Sequence, residues 1–467
     1  MNEVIDGIRD VMPNKRIAFY ARYGAMTCPP EGFEAEPGIV AITANTGSNG
    51  TRIDSDDDPF ARAYMEDIQR IKGCGAELGA REYTMFSGMP QPLVLLDQVE
   101  IYRDLGYVYY HCESMGRDAL RWPIQWVQAQ LLWNPDQSAE ALLEECCSTL
   151  YGDAGPVVLK ILRRIDERER SLPRLVFGSM GIMQWVMSPD FCREGRRTLS
   201  AAREEVEGVH ARRLQRIIDT FDMYVHAAEF VRAAYRAMDE RTESRRREAL
   251  KKHESFEDFW KKRDLDKICS PNILGRIGRI ERGVRSLDLD AGPAPRKGYE
   301  EPSREDRIDA LYSLVGVPDE VPDLHFLPSV WKFKPDLARE AVERGWCDPG
   351  FDDSGWREMS VYNFLERQGY SRYDGAYVYR VRFDAPEFPA GKRIVMRVGS
   401  LDDEGIIYIN GQKAYHRHHL VPKDWKRSFA FDATDFIRPG RENVVVVVGN
   451  DEYGMGGLWN PCAIYPE

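Results

Sequence analysis

The hydrophobic pattern of this 467-residue chain changes period twice, and each period restricts the backbone to one kind of secondary structure. From Lys15 to Glu113 short apolar runs alternate with polar or amphipathic stretches, the spacing of βα units. Four runs read as strands, over 16–21, 38–43, 77–83 and 106–111. Between the second and third, residues 58–68 begin with an acidic residue and Pro59 and continue with apolar residues at helical spacing. This alternation predicts a parallel sheet, most simply part of a (β/α) barrel.

After Asn134-Pro135-Asp136 the period becomes helical and stays so to about Leu287. Ser138 is placed to cap a helix through Ala141, Leu142, Leu143 and Cys146 that stops at Gly152. Helical stretches follow over 157–170 and 199–238. The charge-dense 241–267 reads as a solvated helix face with i,i+4 pairs, not as a binding patch. A Pro- and charge-rich linker at 291–302 precedes the second change of period. From about Leu327 apolar and polar residues alternate strictly over 377–383, 394–398 and 406–409, Asn410-Gly411 is a type I′ hairpin signal, and 444–448 is a continuous apolar strand. The expected organisation is multidomain, combining α/β, all-α and all-β parts: a partial (β/α) barrel over 1–135, a helical bundle over 136–290, a linker over 291–322 and a jelly-roll β-sandwich over 323–467.

Charge narrows the function. Against 64 Lys and Arg stand 76 Asp and Glu, a formal charge of -12, so the overall field repels phosphate backbones and nucleic acid is not an expected partner. No apolar run approaches the roughly 20 residues of a bilayer crossing, so no membrane partner is expected either. The nine cysteines include no C-x-x-C, which signals neither a zinc knuckle nor a disulfide framework and fits a reduced compartment. Cys112, Cys146 and Cys147 lack an evident activating pair and read as packing residues. Residues 1–7 have neither the basic start nor the apolar core of a secretory signal, so the chain as written reads as cytoplasmic, and export would require an upstream extension. The sequon Asn49-Gly50-Thr51 reads as a loop.

In a barrel of this kind, chemistry sits where strands end and loops begin. The third strand ends Arg81-Glu82-Tyr83 and the fourth Tyr109-Tyr110-His111-Cys112-Glu113, while the first two contribute Arg22 with Tyr23, and Asn45. Glycosidic cleavage uses two carboxylates, one protonated to serve the leaving oxygen and one ionised to attack or to activate water. Glu82 and Glu113 are the candidate catalytic pair; the competing roles are pairing with Arg81 or a nearby cation for Glu82 and capping of the helix near Arg117 and Asp118 for Glu113. Arg81 and His111 offer hydrogen bonds to hydroxyls. Tyr83, Tyr109, Tyr110 and Trp122 suit stacking on a pyranose face, or core packing equally well. In the all-β part, Asp402-Asp403-Glu404 and 450–453 form acidic loops beside Trp459, able to hold a structural Ca²⁺ or to bind sugar through Asp403, Tyr453 and Trp459. His416, His418 and His419 have no carboxylate partner in the local sequence, so no metal site is expected there. No Gly-rich phosphate loop occurs, and no other cofactor is implied.

Two resemblances follow from these residues. The motifs Trp331-Lys332-Phe333-Lys334-Pro335-Asp336, Phe351-Asp352-Asp353-Ser354-Gly355-Trp356, Tyr408-Ile409-Asn410-Gly411 and Gly456-Gly457-Leu458-Trp459 resemble the galactose-binding-like jelly-roll domain of family 2 glycoside hydrolases. The run from Lys15 to Tyr23 followed by Cys28-Pro29-Pro30, then Arg81-Glu82-Tyr83, and Leu131-Leu132-Trp133-Asn134-Pro135-Asp136 followed by Leu150-Tyr151-Gly152, is similar to the carboxyl-terminal half of a bacterial family of unknown function. That family's barrel is similar to those of α-glucuronidases and hexosaminidases. Together they imply a carbohydrate-active, glycoside hydrolase-like protein with an oligosaccharide or polysaccharide as partner. The resemblance also implies a departure, because four strands cannot close an eight-stranded barrel. The expectation is a truncated half of a larger enzyme or a partner chain that completes the barrel. The alternative is a noncatalytic glycan-binding or scaffold protein.

Overall fold

The computed structural model of the protein describes all residues except 1, 10, 13, 23–31, 45–51, 84–92, 114–118, 172–184, 268, 270, 290–301, 371–372, 419–423 and 452–453; the side chains of Arg9, Arg22, Phe60, Tyr83, Leu95, Glu113, Pro271 and Asn272 also lie outside the described residues. The chain forms two compact units. The first comprises Met1–Gly178, Trp185–His226 and Phe256–Gly275, the second Ser179–Gln184, Ala227–Ser255 and Arg276–Glu467.

In the first unit, helix α1 (Asn2–Arg9) precedes strand β1 (Ile17–Arg22), followed by β2 (Ile39–Ala44), helix α2 (Pro59–Gly73), β3 (Glu77–Tyr83), α3 (Val94–Asp104), β4 (Tyr107–Glu113) and α4 (Trp122–Trp133). The four strands pair in parallel in chain order, as their apolar runs predict. α2 buries Tyr64, Ile68 and Ile71, one helical stripe. Burying aliphatic side chains of this size is worth about 1.5–3 kcal/mol each. Gly38 turns the chain into β2 at φ 86°, and a Cβ there would lie 3.1 Å from the buried Ile5 side chain. Between β3 and β4 the register shifts by one residue: Leu78 pairs with Tyr107 but Gly79 with Tyr109, which leaves Val108 unpaired and half exposed.

Helix α5 (Ala139–Tyr151) starts where Ser138 accepts a hydrogen bond from the Ala141 amide, and it ends at Gly152, φ 58°. Burial pushes the thiols of Cys146 and Cys147 up to about 11 and about 12, so both are inert packing groups. Helix α6 (Gly155–Arg170) follows. The single helix expected over 199–238 is instead two, Pro189–Glu204 and Gly208–Glu240, because the chain turns at Gly208 in the left-handed region, φ 60°. The charge-dense helix Glu243–Lys262 carries the expected local ion pairs, Arg245 to Glu248, Arg246 and Arg247 to Glu243, and Lys261 to Glu257.

Among its described residues the second unit contains ten strands: β5 (His325–Phe326), β6 (Val330–Pro335), β7 (Arg357–Ser360), β8 (Gly375–Asp384), β9 (Ile394–Leu401), β10 (Glu404–Ile409), β11 (Gln412–Arg417), β12 (Phe429–Asp432), β13 (Glu442–Asp451) and β14 (Leu458–Pro466). They form two antiparallel sheets, ordered β11-β10-β13-β8-β6-β7 and β12-β9-β14-β5. Tyr415 of β11 stacks on Phe429 and Phe431 of β12, with centroids 5.4 and 4.7 Å apart, so aromatic rings join the two sheets. On the other face of the larger sheet, Trp346 and Trp356 pack with Val378, Val444 and Val446. Asn410 and Gly411 both have positive φ, 51° and 85°, and turn β10 into β11. The Asn410 side chain also accepts from the Val444 amide and donates to Asn443 and to the Phe436 carbonyl. Among the described residues no helix is long and apolar enough to cross a membrane.

Candidate functional site

Alternation along the strands sorts the candidate residues of the parallel sheet onto two faces. On one face the neighbours of a Cβ built at Gly79 would be Val40, Ile42 and Tyr109. Arg81, two residues on, pairs in register with His111, and its guanidinium lies over the Tyr20 ring, 5.3 Å from the centroid. Arg81 also donates to the Tyr20 hydroxyl. Tyr20 stands beside Ile42 in the ladder. Tyr20, Arg81, Tyr109 and His111 therefore share one face of three strands, and solvent reaches Tyr109 (43% exposed) and His111. Of the candidate residues, the fold brings Arg81, Tyr109 and His111 onto one face. It adds Tyr20, which sequence reasoning placed in a strand without a role.

The opposite face is turned to the helices. Ala80 and Glu82 alternate with Arg81, and Glu82 is 2% exposed. Its carboxyl accepts a hydrogen bond from the Tyr102 hydroxyl of α3, and the same hydroxyl lies 3.2 Å from the Gln98 amide oxygen. Burial pushes the Glu82 carboxyl up to about 8, with the Tyr102 bond opposing the shift, so it is protonated at neutral pH. Tyr110 belongs to this face too: its hydroxyl accepts from Gln128 of α4 at 2.6 Å. Thr43 continues the layer through hydrogen bonds of 2.8 Å to Tyr64 and 3.0 Å to Tyr107. Glu82 is thus a member of a buried polar layer between sheet and helices, on the other side of the strand from Arg81.

The remaining rim candidates are only partly visible. Tyr23 and Asn45 lie outside the described residues, as do the side chains of Arg22, Tyr83 and Glu113, whose backbones end β1, β3 and β4. No separation between Glu82 and Glu113 follows.

In the second unit Asp403 is buried and Trp459 half-buried. Asp403 is 8% exposed and sits at φ 53° in the turn between β9 and β10. The Trp459 ring packs on Phe364 and Trp425, with centroids 4.7 and 5.6 Å away, and its indole N–H is donated to the Trp425 carbonyl. Tyr453 lies outside the described residues. The Asp451 carboxyl is fully buried, and burial together with the charges of Asp374 and Glu366 holds it far above the usual range. Asp374 is raised to about 7, mainly by burial, against the field of Arg276. His419 is outside the described residues, but His416 and His418 have a carboxylate that lies outside the local sequence. The hairpin carries Glu404 to them: His416 Nε2 is 2.7 Å and His418 Nδ1 3.3 Å from Glu404 Oε1.

No curated protein matches the chain. Among solved structures, the β-glucuronidase of Ruminococcus gnavus in complex with D-glucuronic acid is similar at 21% identity over 33% of this chain and 31% of that one, with a TM-score of 0.28. The β-glucuronidase of Lactobacillus rhamnosus is similar at 24% identity over 32% and 29%, with the same TM-score. The chain covers about a third of the length of these enzymes. Residues 1–163 match the family described as a domain of unknown function, DUF4838.

Proposed function

We propose that this is a carbohydrate-active protein of glycoside hydrolase-like kind whose parallel sheet binds an oligosaccharide or polysaccharide on the face of Tyr20, Arg81, Tyr109 and His111. The observation that carries this reading is that one face presents an exposed aromatic ring, an imidazole and a guanidinium held against a second ring. A pyranose needs an apolar surface for its C–H face and planar donors for its hydroxyls, and this set offers both. Binding stands ahead of hydrolysis in this proposal. Glu82 carries the proton that a general acid needs, but its carboxyl is turned toward α3 and bonded to Tyr102.

Titration of the full chain with a panel of neutral and acidic oligosaccharides tests the proposal, using calorimetry for binding and reducing-end release for cleavage. Binding that is lost in Tyr109→Ala supports it, whereas the absence of binding to every glycan, or binding indifferent to both Tyr109→Ala and Arg81→Ala, overturns it. Cleavage abolished by Glu82→Gln would return that carboxyl to the catalytic role.

A further inference from the structure

The hairpin of β10 and β11 places three ligand-type side chains on one face of the larger antiparallel sheet. Gly405 pairs with Arg417 and Ile406 with His416, so Glu404, His416 and His418 fall on the same side, while Arg417 between the two histidines turns to the other side and lies over Phe429. The imidazoles are close, with centroids 3.8 Å apart and a 47° tilt, and both aim a ring nitrogen at one carboxylate oxygen. One donor atom from each residue lies within 4.8 Å of the other two.

A second observation points to the same place. On the other side of β10, Asn450 of β13 pairs directly with Glu404, so its side chain stands next to the carboxylate on the same face. Asn450 is 8% exposed, and its amide oxygen has no hydrogen-bond partner among the described residues. An unpaired buried carbonyl oxygen costs about 1–3 kcal/mol, which a cation would offset.

We propose that Glu404, His416 and His418 bind a divalent first-row transition ion, with the Asn450 amide oxygen in position to add a fourth ligand. Ligand bonds of 2.0–2.2 Å in a tetrahedron separate donor atoms by about 3.4 Å, against 2.7 and 3.3 Å from the Glu404 oxygen to the His416 and His418 nitrogens. Two imidazoles favour Zn²⁺ and its neighbours over Ca²⁺ or Mg²⁺, which take oxygen ligands. The strand register sets the geometry in advance, and the ion would tie the edge strand β11 to β10 and β13.

Equilibrium dialysis of the chelator-treated full chain against Zn²⁺, with Ca²⁺ in parallel, tests the proposal. One Zn²⁺ retained per chain is expected, with affinity lowered about 10-fold or more in His416→Ala and in His418→Ala, since even the loss of a partner behind a ligand costs that much. The exposed His111→Ala is expected to retain the ion. Far-UV circular dichroism of the two variants separates loss of a ligand from loss of fold, and the half-buried positions of both histidines make unfolding avoidable. A Zn²⁺-dependent rise in melting temperature present in the wild type and absent in His418→Ala adds a second readout. No Zn²⁺ retained by the wild type, or Zn²⁺ retained equally by the folded His416→Ala and His418→Ala chains, would overturn the site and leave the three residues as a hydrogen-bonded clasp.

Discussion

Tyr102 of α3 donates its hydroxyl to the buried carboxyl of Glu82, and this pair ties the parallel sheet to its helix layer. Because burial dominates, the carboxyl is neutral at physiological pH. Two of the predictions below follow from this one contact.

Glu82 imposes a pH slope on stability. Its ordinary value of 4.5 applies to the unfolded chain and about 8 to the folded one, so between these pH values the folded state binds the extra proton. Stability therefore falls as pH rises from about 4.5 to about 8, by up to about 1.4 kcal/mol per pH unit, and the contribution levels off outside that window. Glu82→Gln, which keeps the shape of the protonated acid, is expected to remove this slope. Urea midpoints of the two proteins should converge near pH 4 and separate in favour of the variant as pH approaches 8; parallel curves would count against the buried neutral carboxyl.

Tyr102→Phe takes away the donor and leaves the Glu82 oxygen unpaired beside Gln98. The expected loss is about 1–3 kcal/mol in chemical denaturation. The Glu82 carboxyl should also move further up, because the Tyr102 bond is the interaction that lowers it.

On the exposed face of the sheet, Tyr109→Ala is expected to weaken glycan binding about 10-fold, equivalent to about 1.4 kcal/mol, without a matching loss of stability, because the ring is 43% exposed. Arg81→Ala should do the same. Isothermal titration with the tightest glycan of the panel provides both values.

Arg380 is fully buried in the second unit, pairs with Asp353 at 2.6 Å and donates to the carbonyls of Trp346, Asp348 and Pro349 at 2.8–3.1 Å. Its fork gathers the 346–353 loop against β8. Arg380→Leu leaves a mostly buried carboxylate and several carbonyls unpaired, for which we expect a loss of about 3–5 kcal/mol by thermal or urea unfolding. Arg380→Lys should recover only part of it, since a single ammonium cannot span partners arranged around a planar fork.

The sequence alone determined much of the secondary structure, though not the break that makes two helices of the stretch 199–238. Apolar runs at βα spacing became four parallel strands in chain order, Ser138 and Gly152 bounded α5, and Asn410-Gly411 closed a hairpin. These signals are local, acting through period, capping and positive φ within a few residues, and so are legible without the fold. Tertiary structure decided which residues meet. A parallel strand can be covered on either face, so the run Arg81-Glu82 does not say which side chain faces the helices; α3 does, by bringing Tyr102 to Glu82 and leaving Arg81 with Tyr20 and His111. Likewise, Glu404 stands twelve residues before His416, beyond the reach of any local pattern, until antiparallel register folds the chain back and sets the carboxylate against both imidazoles.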